Sequence, residues 1–293
     1  MSLAAPPSSP PPPPPPLYRG FSTTAQIDAE YNAGAAVPEA ASIIERWRHE
    51  AAAAREKLEC RLDMPYGPTL AETLDVFPAA RADAPVFVFL HGGYWRALSS
   101  KDFSNVATVL GTLGIATVVP NYALAPSVTI DEIARQCRAA VAWVLRHMGS
   151  GGVVVGGHSA GGHLSAMCAI TRWAADYGLP ADPLRGGLLI SGLYDLEPLR
   201  HSYLQPQIRL DDGIVARSSP IAHVRPSVTP LHITWGGAES AEFARQSGSF
   251  HEAWQAAGNT STLAPVEAAN HFTVLDGFAD PHSDLCRWIA GRF

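Results

Sequence analysis

The sequence predicts an α/β fold, in which a mostly parallel, twisted β-sheet carries helices on both faces. Short apolar runs alternate with longer helical segments from about residue 84 to the C-terminus. This alternation is typical of a parallel sheet that is covered on both sides. A length of 293 residues and a hydrophobic content of 47% suffice for one large core. We therefore expect a single domain over residues 18–293.

A proline-rich leader, residues 1–17, precedes that domain. Its run of prolines at residues 10–16 cannot donate backbone hydrogen bonds or continue a helix. We predict a disordered or polyproline II segment. The leader lacks the basic and apolar regions of a signal peptide, and no apolar run reaches the roughly 18 residues of a membrane span. The expected location is therefore the cytoplasm.

The elements of the predicted sheet follow in order. Residues 38–58 have helical spacing of Ile43, Ile44 and Trp47, with a proline tolerated in the first turn. Residues 84–90 are almost all apolar and predict a buried strand. The other predicted strands are 60–64, 72–77, 115–120, 152–156, 187–191, 231–235 and 261–264. The other predicted helices are 129–147, 160–175, 242–257 and one that begins at about residue 283.

Two local signals refine this pattern. Thr129, followed three residues later by Glu132, predicts a capping box at the start of its helix. Residues 196–228, rich in proline, serine and arginine, interrupt the alternation. We predict that this segment is irregular, and it is a candidate for a small cap over a binding site.

Charge and cysteine content exclude several function classes. The chain has 21 Lys and Arg against 27 Asp and Glu, a net charge of −6, so we expect neither nucleic acid nor an anionic membrane as partner. We expect a small-molecule substrate and no cofactor. The four cysteines are widely scattered and are interpreted as reduced thiols. The oligomeric state is left open, with a homodimer as one alternative.

A G-x-S-x-G motif lies between a predicted strand and a predicted helix, at residues 157–161. In that context the serine sits on a sharp turn whose glycines avoid steric clash, and the following helix directs N–H groups at developing negative charge. The alternative is a glycine-rich phosphate-binding turn, but neither G-x-x-x-x-G-K-[ST] nor G-x-G-x-x-G is present. We therefore predict Ser159 as a nucleophile, with the N–H of Ala160 as one oxyanion donor.

The sequence His-Gly-Gly-Tyr-Trp, residues 91–95, directly follows the buried strand. It is similar to the glycine-rich oxyanion loops of esterases, in which backbone N–H groups approach the substrate closely. We predict Gly92, Gly93 and Tyr94 as the residues of an oxyanion hole. His91 is assigned a structural role, and Trp95 is expected mainly to pack.

His271 lies in a loop between the last weak strand and the closing helix, which is the expected position of a general base. Other histidines lie in ordinary structural contexts: His232 in a strand, His251 in a helix and His282 beside the last helix. His158 and His163 are five residues apart, which is a poor spacing for two metal ligands on one helix face. We expect no metal.

The acid that orients His271 should follow a strand between the serine and the histidine. Glu239 lies in the loop after strand 231–235 and is the first choice. Asp195, after the preceding strand, remains the alternative. Glu242 is expected to begin the next helix, where a carboxylate favours the helix dipole.

Four motifs together resemble the kynurenine formamidase (arylformamidase) group of the α/β-hydrolases, over roughly residue 17 to the C-terminus. They are His-Gly-Gly-Tyr-Trp at 91–95, Gly-His-Ser-Ala-Gly-Gly-His at 157–163, Ser-Gly-Leu-Tyr-Asp-Leu-Glu-Pro at 191–198 and Glu-Ser-Ala-Glu-Phe at 239–243. The resemblance implies the α/β-hydrolase fold, and cleavage of an aryl formamide such as N-formylkynurenine through an acyl-enzyme. By position it implies Ser159 as nucleophile, His271 as base, Glu239 as acid and residues 91–95 as oxyanion loop.

Two departures from that group bear on the site. Glu239 stands where similar proteins usually carry Asp, and Tyr-Leu-Gln at 203–205 stands where they often show Ser-Leu-Asn. The candidate residues of the substrate pocket are Trp95, His158, Tyr203 and Gln205. Because the pocket differs, a carboxylesterase acting on small acyl esters is the alternative function, and a non-catalytic binding protein on the same fold is the third.

Overall fold

The computed structural model describes residues 15–293, so most of the leader predicted at 1–17, residues 1–14, lies outside the described residues. One eight-stranded, open sheet organises the fold, with the strand order β1-β2-β4-β3-β5-β6-β7-β8. The strands are β1 Arg61–Pro65, β2 Thr73–Phe77, β3 Val86–Leu90, β4 Ala116–Pro120, β5 Val153–His158, β6 Leu184–Ile190, β7 Leu231–Gly236 and β8 Ser261–Val266.

The sheet is mostly parallel, as predicted. Strands β3 to β8 pair in parallel, whereas β1 and β2 form an antiparallel edge that joins the sheet through β4. The strand order reverses direction at β3, which lies between β4 and β5. In open α/β sheets, ligands bind in the crevice beyond the carboxyl ends of the strands at such a switch point. The topology therefore predicts a binding site at the residues that follow β3 and β5.

Both faces of the sheet are covered. All five residues of β3 are buried, and alternate side chains point to opposite faces. Val86 and Val88 pack in an apolar cluster with the helices α5, α6 and α10, whereas Phe87 and Phe89 pack in a second cluster with α3, α4 and α11. The helices are α1 Thr24–Tyr31, α2 Ala33–Ala36, α3 Ala40–Lys57, α4 Val106–Thr112, α5 Ile130–His147, α6 Ala160–Ala169, α7 Trp173–Tyr177, α8 Gln205–Ile208, α9 Asp212–Ser218, α10 Ala241–Ala256 and α11 Asp284–Ala290.

All predicted strands and helices are present, but two local predictions were wrong. Thr129 is the N-cap of α5 yet its side chain makes no capping bond, and Glu132 instead accepts hydrogen bonds from Arg135 and Gln136. The helix predicted over 160–175 is divided into α6 and α7. Beyond α6, the Thr171 hydroxyl donates to the carbonyl of a residue four positions earlier, an alternative to regular helical bonding.

Outside the candidate cap, three helices escaped prediction: α1, α2 and α4. Residues 196–228 are more regular than predicted. The candidate cap contains α8 and α9, flanked by 3₁₀ helices at Glu197–His201 and Pro220–His223. The other 3₁₀ helices are Ser100–Asp102, Gly149–Gly151 and Thr273–Ala279. Among the described residues, no helix combines the length and the apolar character that a membrane crossing requires.

Candidate active site

Ser159 lies on a strained turn between β5 and α6. Its backbone has φ 58° and ψ −120°, a conformation that L-residues rarely adopt and that costs of order 1–3 kcal/mol. The turn is possible because glycines surround it: a Cβ atom on Gly161 would lie 1.8 Å from the carbonyl oxygen of Leu90, and one on Gly157 would lie 2.4 Å from the carbonyl oxygen of Gly161. The tight turn holds the Ser159 hydroxyl at the carboxyl end of the sheet.

A chain of hydrogen bonds leads from Ser159 to a buried carboxylate. The Nε2 atom of His271 lies 3.0 Å from Oγ of Ser159, and Nδ1 of His271 lies 2.6 Å from Oε2 of Glu239. The side chains of His271 and Glu239 are 6% and 1% exposed, so water barely screens this pair. The three residues come from the ends of β5 and β7 and from the loop after β8. This is the geometry of a nucleophile, a base and an orienting acid.

The second carboxylate oxygen of Glu239 is also held. Oε1 accepts a hydrogen bond of 2.5 Å from the hydroxyl of Ser191 and one of 2.6 Å from the backbone N–H of Gly236. Sequence reasoning missed Ser191, although its position directly after β6, at the same edge of the sheet, was a signal for it. Ser191 has a φ of 50°, and this conformation turns the chain sharply at the end of the strand.

Asp195, the alternative acid, is engaged elsewhere. Its carboxylate accepts hydrogen bonds from the hydroxyl of Tyr18 at 2.7 Å and from the backbone N–H of Glu197 at 3.1 Å. Its backbone is fixed by the side-chain amide of Gln246. The structure therefore brings Glu239, and not Asp195, to His271.

The loop after β3 places backbone N–H groups beside the serine. Gly93, Tyr94 and Trp95 have φ values of 111°, 49° and 57°. A Cβ atom on Gly93 would lie 2.1 Å from the carbonyl oxygen of Ala97, so only glycine fits there. Within the described part of the chain, the N–H groups of Gly93, Tyr94 and Ala160 have no hydrogen-bond acceptor. A Cβ atom on Gly92 would lie 3.4 Å from Cβ of Ser159, which shows how closely this backbone approaches the hydroxyl.

Ser159, His271 and the loop after β3 line a cavity of about 400 Å³. Its apolar wall includes Ile44, Trp47, Phe103 and Phe272. Of the predicted pocket residues, His158 and Tyr203 line the cavity, whereas Trp95 and Gln205 do not. The candidate cap thus contributes Tyr203 to the cavity wall.

The placement of Trp95 and Gln205 in the pocket was wrong for identifiable reasons. Trp95 is fully buried, and its indole Nε1–H donates to Nδ1 of His163 at 3.2 Å, which ties the oxyanion loop to α6. The amide of Gln205 donates to the carbonyl of Leu210 and accepts from its N–H, so it closes its own chain segment. The polar groups of both side chains therefore form hydrogen bonds within the protein and not with the cavity.

Two buried histidines, His158 and His91, have structural roles at the site and do not serve as its base. The Nε2–H of His158 donates to the carbonyl oxygen of His271 at 2.7 Å, and burial holds the pKa of His158 well below its usual value. His91 stacks on Tyr122 with ring centroids 4.0 Å apart, and burial lowers the pKa of His91 to about 4. Both imidazoles are therefore neutral at neutral pH. His158 braces the backbone that carries the base.

The N-terminal helix α1 connects two parts of the site, which the sequence did not indicate. The hydroxyl of Tyr94 donates to the carbonyl oxygen of Tyr31 at the end of α1. The hydroxyl of Tyr31 donates to Glu242 in the first turn of α10, and the carbonyl of Glu30 accepts from the Ser240 hydroxyl. Tyr31 therefore links the oxyanion loop to the loop that carries the acid.

Within residues 15–293, no group of three or more His, Cys, Asp or Glu side chains is arranged to hold a metal ion. The remaining histidines that sequence reasoning set aside have local partners. His232 pairs with the Thr262 hydroxyl and His251 with the Ser261 hydroxyl.

Comparison with known proteins identifies the family. Residues 87–232 match a family model described as the alpha/beta hydrolase fold. The chain is 31% identical to a kynurenine formamidase of Danio rerio over 80% of its own length and 83% of that protein, and 31% identical to one of Salmo salar over 78% and 80%. A crystal structure from Silicibacter sp. TM1040, provisionally named a thioesterase, superposes with a TM-score of 0.81 at 31% identity and covers 90% of this chain and 98% of that one. The chain is a hydrolase of the α/β-hydrolase family and belongs to its kynurenine formamidase-like group.

Proposed function

We propose that this enzyme hydrolyses aryl formamides such as N-formylkynurenine, through a formyl-enzyme on Ser159. The observation that carries the proposal is the continuous hydrogen-bonded chain from Glu239 through His271 to Ser159, which ends beside unpaired N–H groups. The similarity to proteins named kynurenine formamidase supports the choice of a formamide.

In the first step, the hydroxyl of Ser159 attacks the formyl carbon while Nε2 of His271 accepts its proton. Negative charge develops on the formyl oxygen, where the N–H groups of Gly93, Tyr94 and Ala160 can donate to it. One such donor typically stabilises the transition state by about 3 kcal/mol. His271 then returns the proton to the nitrogen of the departing aromatic amine.

In the second step, water attacks the formyl-enzyme with His271 again as base, and formate leaves. Glu239 accepts the Nδ1–H of His271, which fixes the tautomer that leaves Nε2 free to receive the serine proton. Its charge also stabilises the imidazolium that forms in each step. The Ser191 hydroxyl and the Gly236 N–H keep this carboxylate in place.

The cavity suits an aromatic leaving group. Trp47, Phe103 and Phe272 line its wall, and aromatic side chains pack favourably against an aniline ring. The aromatic wall thus agrees with an aryl formamide as the substrate class.

Hydrolysis of small acyl esters or thioesters is the second candidate. The same serine, base and oxyanion loop serve ester chemistry, and the Silicibacter protein that is similar over 90% of this chain carries a thioesterase name. An ester is the easier substrate, because its leaving group needs less protonation than an amine.

A substrate panel separates the two functions. Purified protein is assayed with N-formylkynurenine and formanilide, and with phenyl acetate, phenyl butyrate and an acyl thioester. We expect the highest kcat/KM for N-formylkynurenine. Rapid turnover of the esters with no release of kynurenine would overturn the formamidase proposal and support the esterase.

We also propose that the enzyme resides in the cytoplasm. All four cysteines are unpaired thiols, and three of them, Cys137, Cys168 and Cys286, are buried. Reduced thiols are typical of a reducing compartment. Fractionation of cells that express the full chain tests this, and recovery with secreted or membrane fractions would contradict it.

A further inference from the structure

One cation in the cavity wall has no carboxylate partner. Arg96 follows the oxyanion loop, and its backbone N–H donates to the carbonyl of Gly93 at 3.1 Å. The Nε atom of its guanidinium is buried and has no hydrogen-bond acceptor. Within residues 15–293, no carboxylate lies within salt-bridge distance of Arg96. A buried guanidinium donor without an acceptor is costly, because it has lost its water and gained nothing in return.

The other arginine at this cavity behaves differently. Arg48 is about half exposed and already pairs with Asp102 at 3.1 Å and with Glu45 at 3.4 Å. Arg96 is thus the cavity arginine that pairs with no carboxylate and has a guanidinium donor, Nε, without an acceptor. No Asp or Glu side chain is among the described residues that line the cavity.

Tyr203 adds a second donor beside Arg96. Both residues line the cavity, and the guanidinium of Arg96 donates a hydrogen bond to the Tyr203 phenol oxygen. Burial raises the pKa of Tyr203, while the neighbouring guanidinium opposes that rise, so the phenol stays protonated at neutral pH. A protonated phenol can donate to an acceptor that Arg96 also binds.

An arginine presents its N–H donors in a planar fork that matches the two oxygens of a carboxylate. The whole chain has a net charge of −6 and therefore does not attract anions by itself. Attraction for a carboxylate on the substrate must come from cations inside the cavity. Arg96 lies in the same turn as Gly93 and Tyr94. Its side chain can therefore bind a substrate whose reacting carbonyl lies at the oxyanion loop.

We propose that Arg96, assisted by Tyr203, binds a carboxylate on the leaving-group side of the substrate and so selects aryl formamides that bear one. This inference rests on the proposed function. It assigns the substrate class as formamides whose aromatic amine carries a pendant carboxylate, with aryl formamides that lack a carboxylate as poorer substrates.

The test compares substrates with and without the carboxylate in three proteins: wild type, Arg96→Gln and Arg81→Gln. N-formylkynurenine and its carboxamide differ only in the charge of the group that Arg96 would bind. Arg81 lies on an exposed loop and pairs with Asp83, so Arg81→Gln matches the loss of net charge far from the cavity. Thermal unfolding of each variant verifies that the fold is retained.

We expect Arg96→Gln to lower kcat/KM for N-formylkynurenine by about tenfold or more, mainly through KM, and to change that for the carboxamide by less than about twofold. Arg96→Lys should recover part of the loss, and Tyr203→Phe should show a smaller version of it. Equal losses with both substrates would overturn the proposal, since they would mean that Arg96 only supports the loop. Unchanged kinetics with both substrates would overturn it as well.

A failure of the proposed formamidase function can be distinguished from a failure of the carboxylate site. If wild type releases no kynurenine but cleaves aryl esters, the comparison is repeated with phenyl acetate and an aryl acetate that bears a pendant carboxylate. A preference of wild type for the charged ester that disappears in Arg96→Gln would support the carboxylate site, even though the formamidase proposal had failed. No preference for the charged ester would overturn the site.

Discussion

The hydroxyl of Ser191 donates a hydrogen bond of 2.5 Å to Oε1 of Glu239, while Oε2 of the same carboxylate lies 2.6 Å from Nδ1 of His271. Ser191 therefore acts on the reaction through Glu239 as a positioning residue. Glutamate is one methylene longer than the aspartate usual in similar proteins, so one more side-chain torsion must be fixed. The hydrogen bonds that Oε1 accepts from the Ser191 hydroxyl and the Gly236 N–H restrict this torsion.

Ser191→Ala should lower kcat by about tenfold or more with little change in KM, because a hydrogen bond to a charged group contributes about 1.5–3 kcal/mol. Steady-state kinetics at several pH values measures the effect. Ser219→Ala is the matched control, since Ser219 is equally buried but accepts from the Leu196 N–H away from the cavity. Equal losses in both variants would indicate a general effect on folding rather than on the acid.

The assignment of the acid is tested by exchanging each carboxylate for an amide of the same size. Glu239→Gln should reduce kcat by about 10³–10⁴-fold, because the amide can donate to His271 and so favour the wrong tautomer. Asp195→Asn should stay within a few fold of wild type, since Asp195 bonds Tyr18 and the Glu197 N–H. A severe loss in Asp195→Asn alone would contradict the assignment.

Gly93→Ala tests the oxyanion loop. A Cβ atom there meets the Ala97 carbonyl at 2.1 Å, at a φ of 111°, so the loop must shift and misplace its N–H groups. We expect kcat to fall by at least about 10²-fold, the typical effect of losing one oxyanion donor. Gly114→Ala is the control, because Gly114 also has a positive φ, 75°, but its Cβ would meet nothing within 4 Å. Retained activity in Gly93→Ala would exclude the loop as the oxyanion hole.

Stability should decrease in acid through three buried histidines. Burial lowers the pKa of His91 and of His163 to about 4 and that of His158 well below its usual value. Above pH 6.5 these groups are neutral in both states and contribute nothing. As the pH falls from 6.5 towards 4, the unfolded chain binds protons that the native state does not, so the free energy of unfolding falls by up to about 1.4 kcal/mol per pH unit for each histidine.

Urea unfolding at pH 7.5, 6.5, 5.5 and 4.5 measures this slope. His163→Gln keeps a side-chain donor for the Ser218 carbonyl but does not titrate, so its slope should be smaller by one histidine's share. Identical slopes for wild type and His163→Gln would contradict the prediction.

The sequence predicted the parts of the molecule whose signals are local. Apolar runs identified the central strands, and shorter β-like stretches identified the edge strands. The glycine-flanked serine and the loop after β3 were predicted because glycines at these positions indicate tight turns. His271 and Glu239 followed from chain order along the sheet. These features depend on short segments, and the fold brought those segments together as expected.

The parts that escaped prediction depend on contacts between distant segments. Ser191 is an ordinary strand-end serine until β6 and β7 pair and bring it to Glu239. The helix α1 has a weak sequence pattern, and its role follows from Tyr31 meeting both Tyr94 and Glu242. Trp95 and Gln205 were misplaced because proximity along the chain to a site does not determine where a side chain points.

Labelling with a fluorophosphonate, combined with a formamidase assay, tests most directly whether Ser159 carries the acyl group. We predict a single adduct that maps to Ser159, that N-formylkynurenine slows, and that removes kynurenine release in proportion to labelling, while Ser159→Ala neither labels nor turns over the substrate. Failure of folded wild-type protein to label would favour a non-catalytic binding protein. Formamidase activity that persists in fully labelled protein, or in Ser159→Ala, would contradict the assignment of Ser159 as the nucleophile.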